Sequence, residues 1–147
     1  MDIFQILKKD HQTAKDLFKK LETTGPRATK SREKLFSQLK DDLEAHSHGE
    51  EAVFYPALRE NAEMVDLINE ATEEHAEVEN LLEDLEAMGA ESEEWSSKLA
   101  ELKKSVLHHV KEEEGEIFKK AKEILDKEEI QKMGKEFQEA KKQAAAG

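Results

Sequence analysis

The hydrophobic positions of this chain recur every three or four residues, which places them on one face of a series of α-helices. The first stretch starts at Ile3 and stops at Gly25-Pro26, a pair that breaks helices. The second starts near Ser31. Pro56 is expected to kink or end this helix, because proline has no amide hydrogen for the helical ladder.

Three further stretches follow the same spacing. A third helix is predicted from near Asn61 to Gly89, and a fourth from near Ser92 through Phe118. A fifth, shorter helix is predicted after Asp126, and we expect it to pack against one end of the others. The final Ala-Ala-Ala-Gly is expected to be frayed.

The second half of the chain repeats the first. Aligning His11 with His75 places Asp10-His11 on Glu74-His75. Aligning His46 with His109 places one His-x-x-x-Glu motif on another. The separations agree closely, since His11 and His46 are 35 positions apart and His75 and His109 are 34 apart. The sequence therefore predicts two helical hairpins related by an approximate two-fold axis.

Short loops between helices make neighbouring helices antiparallel. We predict an all-α, up-down-up-down antiparallel four-helix bundle of two pseudo-symmetric hairpins, plus a short C-terminal helix. The bundle is expected to span residues 1–125. Residues 126–147 are expected to form the C-terminal helix and a frayed tail, packed on the same domain.

Charge and composition exclude several classes of function. The net charge of −12 argues against a nucleic-acid partner, because phosphate binding requires a basic face. The chain has no cysteine, which excludes thiolate metal ligands, disulfides and cysteine nucleophiles. Neither a signal-peptide layout nor an apolar run of membrane-spanning length is present in the sequence. We expect a soluble cytoplasmic protein without a membrane partner, as a monomer or weak dimer.

Each half places two histidines and one glutamate on its apolar stripe. In an α-helix, His46 and Glu50 lie one turn apart on one face, as do His109 and Glu113, so each pair can reach one centre. His48 projects about 200° away from His46 and is predicted to point outward. His108 falls on a polar line and is also predicted to point outward. The inward residues are His11, His46, Glu50, His75, His109 and Glu113.

A single inward histidine is more often a hydrogen-bonded core residue than a ligand. Inward glutamates are harder to explain in this way, because a buried, unpaired carboxylate costs several kcal/mol. No inward lysine or arginine is evident in the sequence to neutralise them. Because residue type, spacing and helical phase match in both halves, the six residues are predicted to bind metal.

Imidazole and carboxylate ligands suit iron, zinc, manganese or copper. A structural zinc ion needs only four ligands in a closed tetrahedron. Six donors in two equal triads fit a pair of ions of higher coordination number better. Iron is therefore the preferred metal, with manganese and zinc as alternatives.

The pattern resembles that of the hemerythrin-like family of HHE cation-binding domains. The resemblance implies a non-haem di-iron centre held by the six inward residues, with Glu50 and Glu113 bridging two Fe ions and an oxo or hydroxo group completing the bridge. It covers residues 1 to about 125. Four segments carry it: Lys9-Asp10-His11, His46 to Pro56, Glu73-Glu74-His75 and His108 to Phe118.

The chain departs from the oxygen-carrying members of that family, which have a fifth histidine. Here Glu79 stands one turn after His75 and Ala71 one turn before it. The missing ligand is expected to be water, Glu79 or Glu77, or Tyr55, which would need a local rearrangement to reach the centre. We favour a solvated acid for Glu79 and a packed aromatic for Tyr55.

The resemblance implies a protein that binds a small molecule, O2, peroxide or NO, at the di-iron centre, for sensing, storage or detoxification under oxidative stress. Whether the chain is an enzyme is left open. An alternative is a peroxide-disproportionating, catalase-like activity, which an open coordination position favours. Iron donation or repair of iron-sulfur centres ranks lower, because the family members with that role tend to carry an additional cysteine-bearing domain.

Overall fold

The computed structural model describes the backbone of residues 1–146 and the side chains of residues 1–145. Over this range the chain is helical throughout, with short turns and no strand. Two π-helical turns, Glu50–Phe54 and Glu113–Ile117, join α2 to α3 and α5 to α6, and a 3₁₀ turn spans Ala62–Met64. The helices are α1 (Ile3–Glu22), α2 (Thr29–Gly49), α3 (Tyr55–Arg59), α4 (Val65–Met88), α5 (Glu93–Glu112), α6 (Phe118–Ile124) and α7 (Lys127–Ala146).

The predicted all-α bundle of two hairpins is confirmed. The first hairpin pairs α1 with α2, and the second pairs α4 with α5. The α1 helix begins with a capping box, in which Asp2 and Gln5 each accept a hydrogen bond from the other's backbone. The α4 helix stops where Gly89 adopts a φ of 84°, which favours glycine. Within the described residues, no helix is both long and apolar enough to cross a membrane.

Two apolar clusters fill the bundle and leave a polar layer between them. One cluster includes Leu7 of α1, and the other includes Ala14, two turns further along the same helix. His11 lies between these positions and is itself buried. The fold thus inserts a layer of ionisable side chains between two hydrophobic cores.

Arg32 is the one buried arginine or lysine of the described residues, and the sequence pattern did not reveal it. Its guanidinium donates to Thr24, to the carbonyl of Ala90 and to Ser96, and it lies over the ring of Trp95. Arg32 therefore ties the two hairpin loops together and is bonded to groups other than the buried glutamates.

The C-terminal helix differs from the expectation. It is 20 residues long and packs lengthwise against α1, α2 and the first π turn instead of against one end of the bundle. Glycines allow this close approach, since a Cβ at Gly134 would lie 2.6 Å from the Met1 carbonyl oxygen. A Cβ at Gly49 would lie 2.5 Å from the ring of Phe137. The helix continues through Ala146, and Gly147, the last residue of the tail expected to be frayed, lies outside the described residues.

The irregularity expected at Pro56 is a π turn just before it, and the helical path continues to Arg59. A proline is not required for such a turn, because the second π turn occurs in a segment without proline. Each π turn begins at the glutamate of a His-x-x-x-Glu motif, Glu50 in the first turn and Glu113 in the second. Isolated π turns are often found at functional sites.

Candidate metal centre

The six predicted residues converge in the polar layer. Glu50 and Glu113 are fully buried, and the four imidazoles are 5 to 8% exposed. His48 and His108 lie on the surface, as the helical projection predicted. The imidazoles form two pairs: His11 and His46 make the first half-site, and His75 and His109 make the second half-site.

Both carboxylates lie between the two half-sites. Glu113 places Oε1 3.2 Å from Nε2 of His11 and Oε2 3.3 Å from Nε2 of His109. Oε1 of Glu50 lies 3.1 Å from Nε2 of both His46 and His75. We expected each half of the chain to form its own triad, but each glutamate contacts one histidine of each half-site. The donors consequently group as His11, His46 and Glu113, and as Glu50, His75 and His109.

The outer nitrogen of every imidazole is held by a further carboxylate. Each Nδ1 can donate its hydrogen to that acid, which turns Nε2 toward the buried glutamates and fixes the ring orientation. The four contacts are His11 to Glu114 at 2.6 Å, His46 to Asp10 at 2.8 Å, His75 to Glu51 at 3.0 Å and His109 to Glu74 at 2.7 Å.

These four acids were not recognised from the sequence pattern. The signal was present in the internal repeat, because Asp10 aligns with Glu74 and Glu51 aligns with Glu114. Each aligned pair holds the equivalent imidazole in the two half-sites. The repeat therefore covers the supporting acids as well as the inward donors.

Without a cation, positive charge on His46 and His109 compensates the buried carboxylates. Burial alone would lower the pKa of His109, but the neighbouring carboxylates of Glu113, Glu50 and Glu74 raise it to about 12. Burial likewise opposes the charge of His46, yet Glu50 and Asp10 raise its pKa to about 10. For Glu50 burial would raise the pKa, and the charge of His46 brings it well below its usual value. The layer thus requires positive charge.

Several inward atoms lie near one another but have no partner with hydrogen-bond geometry within the described residues. They are Nε2 of His11, Nε2 of His46, Oε2 of Glu50 and Oε1 of Glu113. An unsatisfied buried polar atom costs about 1–3 kcal/mol. Imidazole nitrogens and carboxylate oxygens that point at one another in this way form a donor set that fits metal cations.

Tyr55 brings a further oxygen into the layer. Its hydroxyl donates to Oε2 of Glu113 at 2.7 Å and lies 3.3 Å from Oε1 of Glu50. It is also 3.3 Å from Nε2 of both His75 and His109. We kept Tyr55 as a candidate ligand but favoured a packed aromatic; the ring is indeed buried, and the hydroxyl reaches the centre of the site.

The π turn explains why Tyr55 reaches the site. In an α-helix, a side chain five positions after Glu50 would point about 140° away from it. The π turn closes an i to i+5 hydrogen bond from the Tyr55 amide to the Glu50 carbonyl, which brings the two side chains to the same side. This turn is the local rearrangement that Tyr55 needed.

The other two candidates for a further ligand lie outside the layer. Glu79 is close to Glu44, and partial burial together with the hydrogen bond and charge of Glu44 raises the pKa of Glu79 to about 7. Glu77 is exposed and accepts a hydrogen bond from Ser105 at 3.4 Å. The structure thus brings Tyr55 to the site, and neither Glu77 nor Glu79.

Known proteins resemble this chain in sequence and in fold. The chain is 29% identical over 141 residues to a protein of Nostoc sp. (strain PCC 7120) named "DNA nickase", spanning 96% of this chain but only 39% of that relative. It superposes, with a TM-score of 0.87 and 23% identity, on a hemerythrin HHE cation-binding domain-containing protein from Mycobacterium kansasii, covering 99% of this chain and 88% of the other. This likeness shows the fold. The model of the hemerythrin HHE cation-binding domain matches residues 2–121, and the chain therefore belongs to that family.

Proposed function

We propose that the chain holds two metal cations, iron in the first place, between its two half-sites. The donors are His11, His46, Glu50, His75, His109 and Glu113. Their orientation supports this proposal, since four carboxylates hold the imidazoles by Nδ1 and leave every Nε2 turned toward the two buried glutamates. Hydrogen-bonded imidazoles of this kind are typical of metal ligands.

Tyr55 is proposed as a seventh donor. Its hydroxyl already lies within hydrogen-bonding distance of Glu113, Glu50 and both histidines of the second half-site. Burial, and then the charges of Glu50 and Glu113, raise the pKa of the phenol well above its usual value. In the metal-free chain the phenol therefore keeps its proton and serves as a donor to Glu113.

The proposed activity is the binding of O2 or a related small oxidant, such as peroxide or NO. A bound iron pair supplies redox chemistry and coordination positions for such molecules. The protein supplies a dry surrounding, because buried side chains such as Val106 and Val110 lie beside the imidazoles. Sensing, storage and detoxification are the corresponding roles.

Peroxide disproportionation is the second candidate, and the Tyr55 hydroxyl favours it. The reaction converts two molecules of hydrogen peroxide into two of water and one of O2, and therefore requires proton movement within the site. The phenol provides a protonated group at 2.7 Å from Glu113 inside the buried layer. Oxygen evolution from peroxide that is lost in Tyr55→Phe while metal content is retained would favour this candidate.

Metal content measured by elemental analysis tests the proposed centre. We expect two ions per chain in the unaltered protein and a large loss in His46→Ala. His48→Ala is the matched control, because His48 lies two positions away on the same helix but is exposed. Equal metal loss in both variants, or no bound metal in any of them, would overturn the assignment of the ligands.

Stopped-flow spectroscopy of the reduced, iron-loaded protein tests the proposed activity. A binding protein is expected to give a stable spectral change on mixing with O2, which reverses when O2 is removed. Iron-loaded protein whose spectrum is unaffected by O2, peroxide and NO alike would contradict the function while leaving the metal assignment intact.

A further inference from the structure

A cavity of about 320 Å³ adjoins the metal centre. All four inward histidines line it, together with buried apolar residues. Ala14, Val106 and Val110 are among these apolar side chains, and each is at most 5% exposed. The inner part of the cavity therefore combines imidazoles with an apolar wall.

The cavity is larger than a small oxidant needs. A water molecule occupies about 30 Å³ of liquid, so the cavity has room for about ten non-hydrogen atoms. O2, NO and hydrogen peroxide have two each. Its volume lies at the lower end of the range, about 300–1,000 Å³, that is typical of pockets for organic ligands.

The outer wall of the cavity comes from α7, which begins after residue 121, where the family match ends. This wall contains Lys141, Lys142 and the exposed Ala145. Two acids stand opposite the lysines: Lys141 donates to both oxygens of Asp10 at 2.8 and 2.9 Å, and Asp42 lines the same opening. Two positive and two negative side chains leave the opening without a net charge.

We infer that this cavity binds an uncharged amphiphile, with an apolar body of about ten non-hydrogen atoms and one oxygenated end group. The oxygenated end lies near the imidazoles, and the apolar body lies along Val106 and Val110 toward α7. An alkyl hydroperoxide is the member of this class that would act as an oxidant at the site. The inference rests on the proposed function and specifies the oxidant that the site admits.

Titration calorimetry with 1-butanol, 1-hexanol and 1-octanol tests this inference, because these alcohols share the end group and do not react. Each methylene that becomes buried contributes about fourfold in affinity. We expect binding at one site, at least tenfold tighter for 1-octanol than for 1-butanol. No increase in affinity with chain length would overturn the proposal.

One variant locates the binding. Ala145→Trp narrows the opening at an exposed position that leaves the core unaltered. It is expected to weaken 1-octanol binding at least tenfold without changing metal content. Val65→Phe is the matched control, since Val65 is half-buried at the start of α4 and lies outside the cavity lining. Equal 1-octanol affinity in Ala145→Trp and Val65→Phe would contradict the inference.

The same samples separate this inference from the proposed function. Metal content is measured on each sample before titration. Protein that holds two ions but binds no alcohol refutes the cavity proposal alone. Protein that holds no metal refutes the proposed centre, whereas chain-length-dependent binding that Ala145→Trp abolishes would still support the cavity.

Discussion

The two half-sites have equivalent donors but different surroundings. In the first, the ring of Phe137 on α7 stands edge-on to His46 at 5.7 Å. In the second, no described helix is the counterpart of α7, and Tyr55 stacks on His75 at 5.3 Å. The residue equivalent to Tyr55 in the repeat is Phe118, which stacks on His11 at 6.4 Å.

This difference separates what the repeat determines from what it does not. The duplicated motifs account for the imidazoles, for the position of the glutamates between the half-sites and for the supporting acids. One oxygen atom, present in Tyr55 and absent in Phe118, distinguishes the inner surroundings of the half-sites. One helix, α7, distinguishes their outer surroundings and supplies a wall of the cavity. Five variants test these distinctions.

Phe137→Ala is expected to have the largest effect, because it removes the fully buried ring that seats α7 over the first half-site. Truncation of a buried phenylalanine costs about 3–5 kcal/mol. Urea denaturation of the metal-free protein measures this loss. Gln138→Ala, the exposed neighbour on α7, is the control and is expected to change stability by less than about 0.5 kcal/mol. Equal stability of the two variants would mean that the Phe137 ring does not stabilise the packing of α7 against the first half-site.

Tyr55→Phe makes the two half-sites alike. It leaves the buried Glu113 without its 2.7 Å donor, and a hydrogen bond to a charged group is worth about 1.5–3 kcal/mol. We expect the metal-free variant to lose stability of this size in urea denaturation. If Tyr55 is a seventh donor, the ferric protein also loses the visible absorption of an iron-bound phenolate. An unchanged ferric spectrum would contradict that role.

Asp10→Ala and Glu74→Ala remove equivalent supporting acids from the first and the second half-site. Loss of such a partner typically weakens metal binding about ten- to hundredfold. Chelator competition should show one weakened ion in each variant and one ion of unaltered affinity. Asp16→Ala, an exposed acid of α1, provides the control. Equal weakening of both ions in both variants would show that the half-sites do not act separately.

Lys141→Met is expected to have the smallest effect. The ammonium group of Lys141 holds Asp10, but both side chains are partly exposed, 24% and 20%. Such an ion pair contributes at most about 1 kcal/mol. The affinity of the first half-site for metal should fall less than in Asp10→Ala, measured by the same competition. An effect as large as that of Asp10→Ala would show that Asp10 orients His46 only when Lys141 of α7 holds it.

Sequence periodicity was sufficient to place the inward donors. His109 continues the apolar stripe of its helix while the adjacent His108 does not, and the structure buries the first and exposes the second. The repeat then extended this reasoning to the other half. Helical phase is a reliable guide here because the helices are regular up to the glutamates.

Periodicity failed where the helix geometry changes. The projection of a regular α-helix turns Tyr55 away from Glu50, and only the π turn brings them together. The position of α7 was missed for a different reason: an amphipathic stripe shows that a helix packs, but it does not identify the surface against which it packs. That surface depends on close approaches at Gly49 and Gly134, which become visible only in three dimensions.

The central claim is that cations neutralise the buried carboxylates. Its most direct test compares the urea denaturation of chelator-stripped protein with and without ferrous iron under anaerobic conditions. At about a hundredfold excess over the dissociation constant, each bound ion adds about 2.7 kcal/mol, so two ions are expected to add about 5 kcal/mol. Identical denaturation curves with and without iron, manganese or zinc would contradict the claim.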